Sequence, residues 1–360
     1  MQFRLARPTY ALILASFLFT CSVIAAQQTP APAQTASAAQ TTFPLDPQMA
    51  KVIQAYKMIA GTPIYDLSPQ DARQQFSAED AEKAVARATG VQKAPEPVAK
   101  IVDQMIPGPG GPLPIRIYTP SGTGPFPVVV YYHGGGFVIA TIDTYDATPR
   151  AVANLAHAVV VSVEYRKAPE HKFPAAVNDA FAAYKWVLQN AGSFNGDGNR
   201  VAVLGESAGG NLAAVVCIEA RDQGIRMPVR QVLVYPITQY SLNTYSDIAY
   251  ANATPLNLPA LKWFYGFYLS SPADANNPLA APLKGNLRNL PGATIIAAEI
   301  DPLGSDGRQY AIKLKDYGVP VNYKFYSGVT HEFFGMGAVV DKAKQAEQQA
   351  AADLRIAFHE

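Results

Sequence analysis

The sequence predicts an α/β protein built on a largely parallel sheet, and three observations carry that expectation. From residue 101 onward short apolar runs alternate with helix-like segments, the texture of strand–helix–strand units. Several of these runs are continuous in β-branched and aromatic residues, as in PVVVYY and AVVVSVEY, which suits strands covered on both faces. Chemistry-bearing residues recur just past the strands, where open α/β sheets gather their sites.

In chain order, Arg4 and Arg7 precede the apolar run YALILASFLFTCSVIAA, residues 10–26, and then QQTPAPAQTASAAQTT. A charged start, a short apolar centre and a small-residue exit read as an export signal over residues 1–26, cut after Ala25 or Ala26. The run is at the short end for crossing a bilayer, so no stable membrane span is expected in the mature chain, which is expected to be periplasmic or secreted. Residues 27–43 are Ala, Gln, Thr and Pro without apolar period, a disordered linker. Of the two cysteines, Cys21 lies in the leader, so cleavage leaves Cys217 without a disulfide partner and destined for apolar packing.

Residues 44–100 read as cap helices. Asp46 and Pro47 make a helix cap and first-turn proline, followed by Met49, Val52, Ile53, Tyr56, Ile59 and Ala60 on one face. A second helical signal runs through LSPQDARQQFSAEDAEKAVARA. These helices precede the first strand, and a lid over the main domain is one use for their apolar faces. The main domain is expected over 101–360, with strands LPIRIYTP, PFPVVVYYH, AVVVSVEY, VAVLG, QVLVYP, ATIIAAE and VNYKFY. An aromatic-rich stretch, residues 240–269, breaks the strand–helix rhythm and places a cap insertion at about 238–275. Its Trp263, Phe264 and Phe267 read either as the packed face of a helix or as the wall of an acyl pocket.

Composition narrows the partners. A formal charge of +1 leaves no basic footprint for nucleic acid or an anionic membrane. Abundant Tyr and Phe suit a pocket for a small molecule. Neither a metal-ligand spacing nor a phosphate-binding glycine loop occurs, so no cofactor and no metal are expected.

The stretch VAVLGESAGGNLAAVV, residues 201–216, joins a β-branched run to a helical one through G-x-S-x-G. A serine alcohol needs a base and an exposed, aimed oxygen, and a sharp strand-to-helix turn supplies the aim. Acyl transfer also needs a carboxylate to orient the base and donors for the tetrahedral oxyanion. Strand ends offer His133 with Gly134, Gly135 and Gly136 after PVVVYY, Ser207 after VAVLG, Asp301 after ATIIAAE and His331 after VNYKFY. Ser207 reads as nucleophile, Asp301 as orienting acid and His331 as base, with Glu299, Asp306 and Asp316 as rival acids. Gly135, Gly136 and Ala208 are the expected oxyanion donors, since glycines let a carbonyl approach backbone N–H groups closely.

The blocks HGGGFV, YRKAPEHKFPAAVNDA, GESAGGN, DPLGSDG and GVTHEFFGM, in that order, resemble the hormone-sensitive lipase group of α/β-hydrolases, bacterial esterases and acetylhydrolases among them. The resemblance implies an α/β-hydrolase fold with an eight-stranded, mostly parallel sheet, helices on both faces and a helical cap. It implies a serine carboxylic-ester hydrolase for short- to medium-chain acyl esters, a small-molecule ester as partner, and a monomer or homodimer. A non-catalytic binding relative, an amidase or a lactonase are the alternatives. Four departures stand out: Glu206 where Asp is usual, Lys167 and Lys172 in the second block, Gly304-Ser305 after DPL, and Glu332 where Gly commonly follows the base. The last bears on loop shape and pH profile.

Overall fold

The computed structural model describes residues 44–91 and 94–359, so the expected export signal and linker lie outside the described residues. Among the described residues eight strands form one sheet: β1 (Lys100–Gly108), β2 (Gly111–Thr119), β3 (Phe126–Tyr132), β4 (Val159–Val163), β5 (Gly196–Glu206), β6 (Gln231–Val234), β7 (Ala293–Ile300) and β8 (Val321–Thr330). Their spatial order is β1-β2-β4-β3-β5-β6-β7-β8. The pairings β1–β2 and β2–β4 are antiparallel, and every pairing from β4 through β8 is parallel.

Among the described residues ten α-helices accompany the strands: α1 (Pro47–Ile59), α2 (Pro69–Ala72), α3 (Ala78–Ala88), α4 (Ala147–Ala156), α5 (Ala175–Asn190), α6 (Ala208–Asp222), α7 (Tyr245–Ala249), α8 (Leu258–Tyr268), α9 (Gly304–Asp316) and α10 (Asp341–Ala357). The continuous strands divide their side chains by alternation. Val128, Val130 and Tyr132 of β3 join a core layer with α5, α6, α8 and α9, while Val129 and Tyr131 join the opposite layer with α1, α3, α4 and α10. All seven residues of β3 are buried, as a strand covered on both faces requires.

Sequence and structure differ at the start of the sheet. The strand β1, KIVDQMIPG, was legible only as an implied eighth strand, because it is an edge hairpin arm with most positions exposed and no apolar run. It begins at Lys100, one residue ahead of the expected boundary. The helix start at Asp46 and Pro47 is as expected: Asp46 accepts the N–H groups of Gln48 and Met49, and Met49, Val52 and Ile53 are buried. The second helical signal resolves into α2 and α3, each capped by a serine, Ser68 and Ser77.

The strand order reverses at β3. After β3 the chain crosses to β4 on one side, then returns to β5 on the other. A crevice therefore opens past the carboxyl ends of β3 and β5, where a ligand is expected in an open α/β sheet.

Candidate active site

At the end of β5 the chain reverses into α6 through one residue, Ser207, with φ 56° and ψ −114°. Side-chain-bearing residues rarely occupy that region, and it persists only where the surroundings over-determine it. Here the Ser207 N–H donates to the Val234 carbonyl at 2.9 Å, and its own carbonyl accepts from Asn211 at 3.1 Å and Ile237 at 3.2 Å. The two flanking glycines are steric requirements. A Cβ on Gly205 would strike the carbonyl oxygen of Gly209, and one on Gly209 would strike that of Tyr132 on β3. Twelve of the fifteen residues of α6 are buried, so the turn is braced from behind.

His331 and Asp301 follow β8 and β7. His331 Nδ1–H donates to Asp301 Oδ2 at 2.7 Å, since a carboxylate can only accept. That leaves Nε2 as acceptor for the Ser207 hydroxyl, 3.0 Å away. The Leu303 N–H donates to the other Asp301 oxygen at 2.8 Å. All three side chains are buried. Burial pulls the imidazole pKa down, but the negative charge and hydrogen bond of Asp301, with Glu332 and Glu206 behind it, outweigh this and raise it above 6.5.

The rival acids are engaged elsewhere. Glu299 accepts the Gly328 N–H at 2.6 Å, Asp306 accepts the N–H groups of Thr238 and Gln239, and Asp316 is exposed. The other histidines stand apart too. His133 is buried against Tyr165, ring centroids 4.4 Å apart, and burial pushes its pKa down to about 4. His157 caps the carboxyl end of α4 and contacts the Ser121 carbonyl.

Facing Ser207 is the glycine loop after β3. Gly135 and Gly136 have φ 95° and 59°. A Cβ at Gly135 would collide with the Ile139 carbonyl, and one at Gly136 with the ring of Phe264. Among the described residues neither the Gly135 nor the Gly136 N–H has an acceptor. Ala208 is the first residue of α6, so its N–H also lies outside the helical ladder.

These groups open into a cavity of about 410 Å³. Its walls come from two stretches outside the sheet, with Tyr56, Ile64 and Phe76 from the segment before β1 and Leu256, Leu261 and Phe264 from the stretch between β6 and β7, together with Ile139 and Tyr145 after β3 and Phe334 and Met336 after β8. The two stretches are tied down over the site. Trp263 Nε1 donates to the Leu67 carbonyl at 3.0 Å. Arg73 donates to the carbonyls of Val138 and Ala168 and forms a paired bridge to Glu170. The aromatic residues of α8 thus divide their roles: Phe264 walls the cavity, and Trp263 and Phe267 meet edge to face, half-buried against the core.

Part of the surroundings of Ser207 and His331 had no functional reading from sequence, where Glu206 stood out only as a departure and Tyr131, Tyr235 and Tyr145 not at all. Glu206 is fully buried and accepts from Tyr131 at 2.6 Å and Tyr235 at 2.5 Å. Burial raises its pKa to about 8, against the donated hydrogen bonds. Tyr235 also lays its ring on His331, centroids 4.4 Å apart. Tyr235 directly follows β6, so the strand-end rule could have found it. Tyr145, which donates to Glu332 at 2.7 Å, lies in a loop with no such signal.

Among the described residues no group of three or more His, Cys, Asp or Glu is placed to hold a metal ion. Nor is any described helix long and apolar enough to cross a membrane.

A family model described as alpha/beta hydrolase fold matches residues 129–335. Esterase LipI of Mycobacterium tuberculosis is 41% identical over 269 residues, covering 73% of this chain and 84% of that protein. An arylesterase of Saccharolobus solfataricus is 36% identical over 296 residues, 81% of this chain and 93% of that one. The solved structure of a hyperthermophilic esterase from Pyrobaculum calidifontis superposes with a TM-score of 0.79 at 40% identity, covering 87% of this chain and 98% of its own.

Proposed function

The chain belongs to the alpha/beta hydrolase family, as a serine ester hydrolase of the hormone-sensitive lipase type, and from that premise we propose that Ser207, His331 and Asp301 carry its chemistry. The observation that supports this most is the chain of two hydrogen bonds from Asp301 through His331 to Ser207, at 2.7 and 3.0 Å. Ser207 Oγ attacks the ester carbonyl while its proton passes to His331 Nε2. The carbonyl oxygen becomes an oxyanion held by the N–H groups of Gly135, Gly136 and Ala208. The C–O bond to the alcohol breaks, and the alcohol leaves with the proton from Nε2. Water then gives its proton to the same nitrogen, attacks the acyl-enzyme, and releases the acid with Ser207 restored. Asp301 keeps the ring in the tautomer this requires and stabilises the imidazolium.

The walls of the cavity and its volume favour short- to medium-chain acyl groups. Ser207→Ala should lower turnover of a p-nitrophenyl butyrate substrate by roughly 10⁴-fold or more, and abolish labelling by a fluorophosphonate. Undiminished turnover with intact labelling elsewhere would remove the proposal. We further infer export, from the charged and apolar order of residues 1–26. A mature chain in the periplasmic fraction or medium of a bacterial host, starting near Ala26 by mass spectrometry, is the expected result.

A further inference from the structure

Glu332 directly follows the proposed base, and its backbone conformation and its burial make its presence there costly. Its φ is 69°, in the left-handed region that favours glycine. Its carboxylate is half-buried in the cavity wall beside Ser207 and His331. Burial accordingly raises its pKa above 4.5, against the pull of His331 and the hydrogen bond from Tyr145. A glycine would avoid every one of these costs. What the glutamate supplies is position. Oε2 is pinned by the Tyr145 hydroxyl at 2.7 Å, which leaves Oε1 3.7 Å from His331 Nε2. Asp301 holds the opposite nitrogen, so the ring lies between two carboxylates, one behind it and one on the substrate side.

We propose that Glu332 is a positioning residue for His331, steadying the ring and its charge from the substrate side each time Nε2 carries a proton. This rests on the reading of His331 as the base. The groups facing His331 from the surrounding elements are Asp301 after β7, Glu206 at the end of β5, Ser207, Tyr235 after β6, and Glu332 with its anchor Tyr145 ahead of α4. None of them is a cation, so removing one carboxylate charge is not masked by a neighbouring positive group. The direction follows from the charges. A carboxylate near the imidazolium favours the protonated ring, so it places the acid limb of activity at higher pH and makes Nε2 a stronger base above that limb.

Glu332→Gln separates this role from a merely structural one, because the amide oxygen can still accept from Tyr145 while the charge is lost. Two readouts are taken on wild type, Glu332→Gln and Glu332→Asp. One is the pH profile of kcat/KM on a p-nitrophenyl ester. The other is the NMR titration of the His331 ring, assigned among the five histidines by its loss in His331→Asn. In Glu332→Gln both the ring pKa and the acid limb should fall together by roughly half a unit to one unit, with Glu332→Asp restoring at least part of the shift. If both stay within about 0.2 of a unit in an active enzyme, the inference fails alone and the esterase reading stands. If the ring pKa falls while the acid limb stays fixed, His331 is not the base and both readings fall.

Discussion

At Glu206 a carboxylate is sealed between two tyrosine hydroxyls one residue before the proposed nucleophile. Its folded-state pKa is raised to about 8 from 4.5, so the folded protein holds this proton more tightly than the unfolded chain does. The sign follows: the contribution to stability is fully present below pH 4.5 and is lost as pH rises toward 8. The loss amounts to at most about 1.4 kcal/mol per pH unit across that window. Glu206→Gln does not titrate, so its melting temperature relative to wild type should climb from pH 5 to pH 8. A constant difference across that range would show that Glu206 is not protonated in the folded state. Sequence alone brought Ser207, Asp301 and His331 into view because each follows a strand. It could not bring Glu206, Tyr131 and Tyr235 together, since their meeting depends on register. Tyr131 pairs with Leu204, two residues from Glu206 on the same strand face, and Glu206 pairs with Val234, the neighbour of Tyr235.

Among the elements, two helical glycines make opposite predictions. Gly209 sits in the first turn of α6 against the Tyr132 carbonyl, and backbone there cannot yield without parting β3 from α6. Gly209→Ala should therefore lose soluble, active protein, or cost several kcal/mol if it folds, at about the level of severe overpacking. Gly266 lies in the last turn of α8, exposed, with nothing within 4 Å of an added Cβ. Gly266→Ala should raise stability by about 0.5–1 kcal/mol, read as a higher denaturation midpoint with unchanged kcat/KM. In sequence Gly266 is an isolated glycine in a helical run, whereas Gly209 closes G-x-S-x-G and is followed by Gly210. Buried strands were legible from their unbroken Val and Ile, and α1 from its cap. The hairpin arm β1 was not, because an exposed edge strand has no need of an apolar pattern.

Across the whole molecule, the proposed reacting groups and much of the cavity wall have separate origins. Ser207, Asp301, His331 and the glycine loop come from strand ends, while Tyr56, Phe76, Leu261 and Phe264 come from the stretch before β1 and the stretch between β6 and β7. Initial rates across p-nitrophenyl esters should accordingly be highest between acetyl and octanoyl and fall toward palmitoyl. Phe264→Ala, which removes a ring from the wall, should move the optimum to longer chains and leave fluorophosphonate labelling of Ser207 intact. An unchanged chain-length profile in that variant would mean that the acyl group does not lie against Phe264. Sequence marked both stretches as additions to the sheet, yet not how they enclose a common space, which depends on contacts such as Trp263 with Leu67 and Arg73 with Val138. This division also tells a protein engineer where to cut. A chimera that borrows both roof pieces from a relative, with their mutual fastenings, should inherit the donor's preference among esters on the recipient's unaltered workbench, whereas a graft of either piece alone would sever those fastenings and leave the hollow ajar.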